Sequence, residues 1–391
     1  MKINIRLAER LRKISPSSTL AITSQAKKLK SEGKDIVNFA AGEPDFDTPD
    51  FIKDAAIQAI NSGFTKYTPT TGIPELKKLI CQKFKKDNSL EYAPDQIIVS
   101  NGAKHSIFNA LMVLLNRADE VLIPLPYWVS YPEMVNICEA TPRFIKTTQA
   151  SNFKISAPDL LKHISAKTKM LILNSPANPT GSVYSRQELE AIAKICVSNN
   201  IFVISDEIYE KITFDGREHN SIANLNKDIY GLTVTVNGLS KSHAMTGWRI
   251  GYLGAPTDVA NAISNLQDHS TSNPNSIAQK AAVAALSAPE DFTHKLCLEF
   301  ARRRDYLSGR LNGNKNLSFS MPQGAFYMFC NISKTGLNSL TFAKRLLEEE
   351  YVSVIPGSSF GMDDHIRISF ATSIEELQKG MDRIEKWITK L

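Results

Sequence analysis

This sequence predicts an α/β fold, a mostly parallel sheet covered by helices, followed by a smaller α+β unit. Three observations carry that expectation. From about residue 97, short runs of Val, Ile and Leu alternate with longer helical patterns. The runs are apolar throughout rather than alternating, which marks strands buried on both faces. Beyond about residue 285 the rhythm changes to helix, strand, helix, two strands and a last helix.

Taken in order, the first buried run is Ile97-Ile98-Val99, followed by a helical stretch through Leu115. Glu120–Ile123 precedes a second helix near Trp128–Cys138, and Lys169–Leu173, Ile201–Ser205, Leu232–Val236 and Ile250–Leu253 continue the series. Right-handed crossovers place the functional loops of such a sheet at the carboxyl ends of its strands. Pro289-Glu290-Asp291 starts an amphipathic helix to about Leu311. Strand-like Ala325–Cys330, helix Thr341–Glu349, strands Val352–Ile355 and His365–Phe370 and a final helix follow. The expected division is a large domain over residues 47–288 and a small C-terminal domain over 289–391, with residues 1–46 contributing to the small one and a cleft between them.

The chain has 391 residues, 42% hydrophobic and 22% charged, inside the soluble globular range. Its formal net charge is +6, with Lys and Arg spread along the chain. Runs such as Lys83-Phe84-Lys85-Lys86 and Arg302-Arg303-Arg304 are short and read as solvated helix faces, not as a nucleic-acid surface. Five cysteines, odd in number and without a CxxC, point to a reducing compartment. The N-terminus lacks an apolar signal core, and Ile5, Leu7, Leu11 and Ile14 predict an ordinary leading helix. No stretch approaches the roughly 18 apolar residues of a membrane span, so a soluble cytoplasmic enzyme is expected.

The central motif is Gly238-Leu239-Ser240-Lys241, continued by Ala244-Met245-Thr246-Gly247-Trp248-Arg249-Ile250-Gly251. Alone, a lysine in a small-residue turn is a surface lysine. This one directly follows a buried strand, at the mouth of the sheet, where desolvation and neighbouring cations lower an amine's pKa and make it nucleophilic. Arg249 offers a planar fork of donors suited to a phosphate dianion, and Ser240 and the backbone of the turn add further ligands. Gly102-Ala103-Lys104 opens a helix after the first strand, a second place where backbone N–H groups suit a phosphate. Asp206 follows the strand Ile201–Ser205 and faces the same edge.

These segments resemble the class I aminotransferases, over essentially the whole chain and in the right order. Ala41-Gly42-Glu43-Pro44-Asp45-Phe46-Asp47, Tyr67, Asn101-Gly102-Ala103-Lys104, Pro126-Tyr127-Trp128, Asn178-Pro179-Thr180-Gly181, Asp206-Glu207-Ile208-Tyr209 and Arg367 all have family counterparts. The resemblance implies fold type I of the pyridoxal-phosphate enzymes, with a seven-stranded sheet, and pyridoxal 5'-phosphate held by Lys241 as a Schiff base. It implies that Asp206 pairs with the pyridine nitrogen, that Tyr209 and Asn178 meet the phenolic oxygen, and that Trp128 stacks on the ring. Gly102, Ala103, Lys104, Ser240 and Arg249 would surround the phosphate, with Tyr67 reaching it from the other subunit of a homodimer. Arg367 would clamp the substrate α-carboxylate, beside Gly42, Trp128 and Asn178.

The spellings are similar to the bacterial and plastid branch of aspartate aminotransferases, some members of which also transaminate prephenate. The stretch His269-Ser270-Thr271-Ser272-Asn273-Pro274, where animal-type relatives carry an arginine for the side-chain carboxylate, has none. Lys104 and Thr19 are then the candidates for that charge. The expected reaction moves the amino group of L-aspartate to 2-oxoglutarate by a ping-pong route; a prephenate activity and a C–S lyase on the same fold are the alternatives. The seven histidines show no metal spacing, so no metal is expected; His105 and His243 flank cofactor segments. The absence of a Walker A loop and of GxGxxG argues against a nucleotide site.

Overall fold

The computed structural model describes residues 8–14 and 18–391, leaving out the side chains of residues 18–21. Seven strands form the main sheet, in the spatial order Ile97–Ser100, Gly251–Gly254, Thr233–Gly238, Phe202–Asp206, Thr168–Asn174, Glu120–Pro124, Thr141–Ile145. All neighbours run parallel except Gly251–Gly254, which is antiparallel to both of its own. Ile97–Ser100, Thr233–Gly238 and Gly251–Gly254 are buried at every position, which is why Ile97-Ile98-Val99 reads as an unbroken apolar run, although Thr233–Gly238 also buries Thr233, Thr235 and Asn237. The outer strand Thr141–Ile145 was not anticipated. It is largely exposed and contains Pro142, a residue that removes a ladder donor and suits only an edge.

Register decides what the carboxyl edge presents. Asn174 pairs with Asp206, and Asp206 with Val236, while Gly251 pairs with both Ser100 and Gly238. Asn174 and Asp206 thus end level with Val236, and Ser100 and Gly251 level with Gly238 two residues further on, so the strand ends form one edge with a two-residue step. Gly251 has to be glycine: a Cβ there would collide with the backbone of Gly102 and Ala103, where helix Ala103–Leu114 starts against the sheet.

Beyond residue 290, helix Asp291–Leu311 leads to an antiparallel sheet ordered Ile355–Pro356, His365–Ser369, Tyr327–Asn331, Ser318–Phe319. Val352–Ile355 was expected as one strand and is two. Val352–Ser353 pairs with Val37–Asn38 and Ile355–Pro356 with Ile366 and Arg367, a change of partner that an apolar run cannot reveal. One apolar cluster joins Val37 and Phe39 to Leu296, Phe300, Ile366, Leu377, Met381 and Trp387.

Two expectations fail. Of the expected leading helix, Ile5 and Leu7 lie outside the described residues, and the described part is a short 3-10 turn, Glu9–Lys13, with no buried residue; the α-helix of this region is Ser18–Ser31. The charge runs are only partly solvated. Arg302 is exposed, but Arg303 and Arg304 are 6% and 3% exposed and paired with Asp45, Glu299, Asp215 and Asp305. Lys83 is likewise buried against Glu210. Sequence alone shows the charge, not the carboxylates that meet it from distant segments. No helix among the described residues is long and apolar enough to cross a membrane.

Candidate active site

A cavity of about 480 Å³ opens at the carboxyl edge of the main sheet, closed on its far side by the antiparallel sheet. Gly42, Ala103, Lys104, Trp128, Asn178, Asp206, Tyr209, Ser240, Lys241, Arg249 and Arg367 all line it. Gly102 stands one residue outside the lining, in left-handed backbone (φ 89°), and a Cβ on it would collide with the Arg249 guanidinium. The helix start and Arg249 thereby converge on one spot, two anion-binding devices side by side. Among the described residues Arg249 donates to backbone carbonyls alone, those of Thr246 (2.9 Å) and Asn101 (3.2 Å), which leaves its charge available. Ala244 (φ 51°) and Arg249 (φ 55°) are themselves left-handed, a conformation costing a non-glycine residue about 1–2 kcal/mol. Thr48 holds the loop in place, its hydroxyl donating to Ala244 O (2.6 Å) and accepting from Trp248 Nε1 (3.0 Å).

Lys241 Nζ donates to Gly42 O at 2.6 Å. Burial pushes its pKa down to about 8; Glu43 opposes the shift, while Arg367 and Arg249 add to it. Its amine is therefore far easier to deprotonate than an ordinary lysine's. Asp206 is 4% exposed, and burial raises its carboxyl to about 6. Tyr131 Oη donates to its Oδ2 at 2.6 Å. Asn174 Nδ2 donates to the Asp206 carbonyl at 2.9 Å and its Oδ1 accepts from Asn178 N at 2.8 Å, tying the Asn178 turn to the sheet edge. Tyr209 and Tyr327 share a hydrogen bond between hydroxyls at 2.8 Å.

Arg367 is 5% exposed; Nη1 donates to Asn178 Oδ1 (3.1 Å), Nη2 to Ala40 O (2.9 Å), and its carbon lies 4.3 Å from the Tyr327 ring centroid. Its Nε is buried with no hydrogen-bond partner among the described residues. A buried guanidinium without a carboxylate carries a desolvation cost that an anionic ligand would relieve. Trp128 lies half-buried over the mouth, with Lys104 Nζ 4.9 Å from its ring centroid. Burial, then Arg249, lower the Lys104 pKa.

These groups fit the cofactor that the sequence implied. A phosphate matches the helix start with Arg249 and Ser240, a protonated ring nitrogen matches Asp206, and an aldehyde carbon matches Lys241. The family model of class I and II aminotransferases matches residues 34–384. This chain belongs to that family. It is an aminotransferase, and its cofactor is pyridoxal 5'-phosphate. An aspartate aminotransferase of Bacillus sp. (strain YM-2) is 48% identical, covering 98% of this chain and 99% of that one. A probable aspartate/prephenate aminotransferase of Rhizobium leguminosarum bv. phaseoli is 45% identical, covering 97% of this chain and 98% of that one. Among solved structures, the aspartate aminotransferase of Rhizobium meliloti superposes with a TM-score of 0.95 at 40% identity, over 99% of this chain and 100% of that one. That of Thermus thermophilus with maleate gives 0.94 at 39%, over 98% and 100%.

Tyr67 is 93% exposed and does not line the cavity of its own chain, and the Thr19 side chain lies outside the described residues. Thr23, on the helix Ser18–Ser31, lines the cavity. His105 Nδ1 accepts from Asn101 N (3.2 Å) and His243 Nδ1 meets Ser242 Oγ (2.8 Å); both rings serve their own turns, and neither lines the cavity. Sequence reasoning missed Tyr131, Asn174, Tyr327 and Phe360. Asn174 had a signal, as the polar residue ending an apolar strand; Tyr327 sits inside an apolar run and reads as core.

Proposed function

We propose that this aminotransferase moves the amino group of L-aspartate to 2-oxoglutarate, giving oxaloacetate and L-glutamate. The observation that carries the reading is the cavity's charge arrangement. The buried, carboxylate-free Arg367 suits the α-carboxylate, and Lys104 stands with Arg249 and Trp128 at the opposite wall for a second acid group. Relatives named aspartate aminotransferase support it, as does a neighbour described with the dicarboxylate maleate.

When bound, pyridoxal 5'-phosphate supplies a carbonyl carbon that captures the amine and a ring that accepts electrons released at the substrate Cα. The protein supplies geometry and protons. Arg249, Ser240 and the Gly102-Ala103 helix start would hold the phosphate; Asp206 would keep the ring nitrogen protonated; Trp128 would cover the ring; Tyr209 and Asn178 would face the phenolic oxygen. Arg367 turns the substrate so that its α-hydrogen faces Lys241, whose Nζ, once displaced, removes that proton as the base and returns it as the acid. Because the amino group stays on the enzyme between half-reactions, double-reciprocal plots against the two substrates run parallel.

Three further inferences accompany this one. The exposed Tyr67 and an open cavity of about 720 Å³ on the far side of Arg249, bordered by Thr48, Asn101 and Trp248, support a homodimer in which Tyr67 of one subunit serves the phosphate site of the other. The cluster joining Val37 and Phe39 to the last hundred residues supports residues 1–46 and 289–391 forming the small domain and 47–288 the large one. Prephenate as a second amino acceptor is favoured by relatives named aspartate/prephenate aminotransferase, and Thr19 with Lys104 would meet its second carboxylate. The test is Lys104→Ala. It raises KM for aspartate and 2-oxoglutarate roughly tenfold or more, as expected for one lost charged hydrogen bond, and leaves KM for alanine and phenylalanine little changed. An equal effect on all four substrates removes Lys104 from the reading.

A further inference from the structure

Asp206 has two oxygens in unequal surroundings. Oδ2 accepts from Tyr131 Oη at 2.6 Å, while Oδ1 is met only by Ile208 N–H at 3.3 Å. Tyr131 is 2% exposed and Asp206 4%, so water does not substitute freely for either partner. A phenol has one proton to donate, and here it is committed to a carboxylate oxygen, a charge-assisted bond. Tyr131 rises from the first turn of helix Ser130–Ile137, and its ring meets that of Trp128 edge-on, at 5.2 Å and 79°. One side chain therefore touches both the residue facing the ring nitrogen and the residue covering the ring.

We infer that Tyr131 is a positioning residue for the cofactor. Its hydroxyl fixes the Asp206 carboxylate with Oδ1 left for the ring nitrogen, and its ring sets the tilt of Trp128. The inference rests on Asp206 being the partner of that nitrogen. Burial drives Asp206 towards its neutral form and Tyr131 works against this, so the bond also favours the ionised state that the pairing needs.

Tyr131 also packs in the apolar cluster beneath the sheet edge, so a purely structural role has to be separated. Tyr131→Phe keeps the ring and removes only the hydroxyl. The experiment compares Tyr131→Phe, Asp206→Asn and the parent in three readouts: the dissociation constant of pyridoxal 5'-phosphate with its visible absorbance maximum, kcat and KM for aspartate, and the melting temperature of the cofactor-free protein. Tyr131→Phe is expected to weaken cofactor binding roughly ten- to a hundredfold, displace the absorbance maximum and lower kcat with KM little changed, at an unaltered melting temperature. A variant with the parent's affinity, spectrum and kcat overturns the inference, and so does one whose only change is a lower melting temperature. In either case an impaired Asp206→Asn leaves the Asp206 assignment standing. An Asp206→Asn that binds cofactor and turns over like the parent removes that assignment and this inference together.

Discussion

Asp206 and Glu207 are adjacent, both are carboxylates, and both are almost fully buried, yet the protein treats them in opposite ways. Glu207 points away from the cavity into a polar cluster where its oxygens accept from Ser205 (2.7 Å), Ser221 (2.6 Å), Asn88 (2.9 Å) and His219 (2.9 Å). Asn88 also donates to Glu210 (2.7 Å), which is paired with Lys83. Glu207, Glu210 and His219 bring their ligand atoms within 4.8 Å of one another, but Asn88 and Lys83 already answer the two carboxylates. On the cavity side, among the described residues, Asp206 accepts from a phenol with Lys241 as a more distant cation, Arg367 meets an amide and a backbone carbonyl but no carboxylate, and Lys241 donates to a backbone carbonyl. Burial raises Asp206 and lowers Lys241, the directions of charges held without full compensation, whereas at Glu207 burial is outweighed by His219, Ser221 and Ser205 together, which keep it below the usual glutamate value. Buried polarity that is satisfied supports the fold; buried polarity left unsatisfied awaits a ligand.

The sharpest way to break this contrast is to neutralise the two neighbours separately. Asp206→Asn should reduce kcat by about 10²–10³-fold, the scale of removing one electrostatic partner at a reacting centre. The cofactor-free protein should melt no lower than the parent, since a strained charge has been removed. Glu207→Gln should do the reverse, costing about 3–5 kcal/mol of stability, the scale of breaking a buried pair, with kcat per folded enzyme nearly unchanged. Paired melting and kinetic measurements check both; a stability loss in the first or a rate loss in the second would merge the two regions.

Arg367→Lys keeps the charge and loses the fork, so kcat/KM for aspartate should fall roughly 10–100-fold, with cofactor affinity unaffected. The smallest effect belongs to His219. Burial works to lower its pKa, but Glu207 outweighs this and holds it above the usual histidine value. Its charged pairing therefore stabilises in full below about pH 6.5 and fades as pH rises through the elevated folded value. The melting temperature of the parent minus that of His219→Asn should shrink between pH 6 and pH 9; a difference that stays constant or grows would show that folding does not raise the His219 pKa.

Much of this was legible in the sequence, and what was not has a physical pattern. Strands buried on both faces announce themselves as apolar runs, so six of the seven strands of the main sheet were found; the exposed, proline-bearing edge Thr141–Ile145 was not. Residues at strand ends or tight turns, such as Asp206, Lys241 and Gly102, carried a chemical signal because their type is unusual for its place. Tyr131 and Tyr327 carried none, since an aromatic residue in an apolar pattern looks like core until its hydroxyl is seen to face a partner. Arg304 and Lys83 looked like surface charge for the converse reason, their carboxylates being Asp215 and Glu210, about 90 and 130 residues away. Tyr67 resembled a cofactor ligand, and a single chain leaves it in solvent.

The central claim is that Lys241 is the residue that holds the cofactor. It is tested most directly by reducing the purified holoenzyme with borohydride, which fixes the cofactor to whichever amine carries it, and mapping the pyridoxyl-modified peptide by mass spectrometry. The account predicts one modified residue, Lys241, and no pyridoxyl label on the Lys241→Ala variant treated in parallel. A label on Lys104 or another lysine, with Lys241 unmodified, would contradict it.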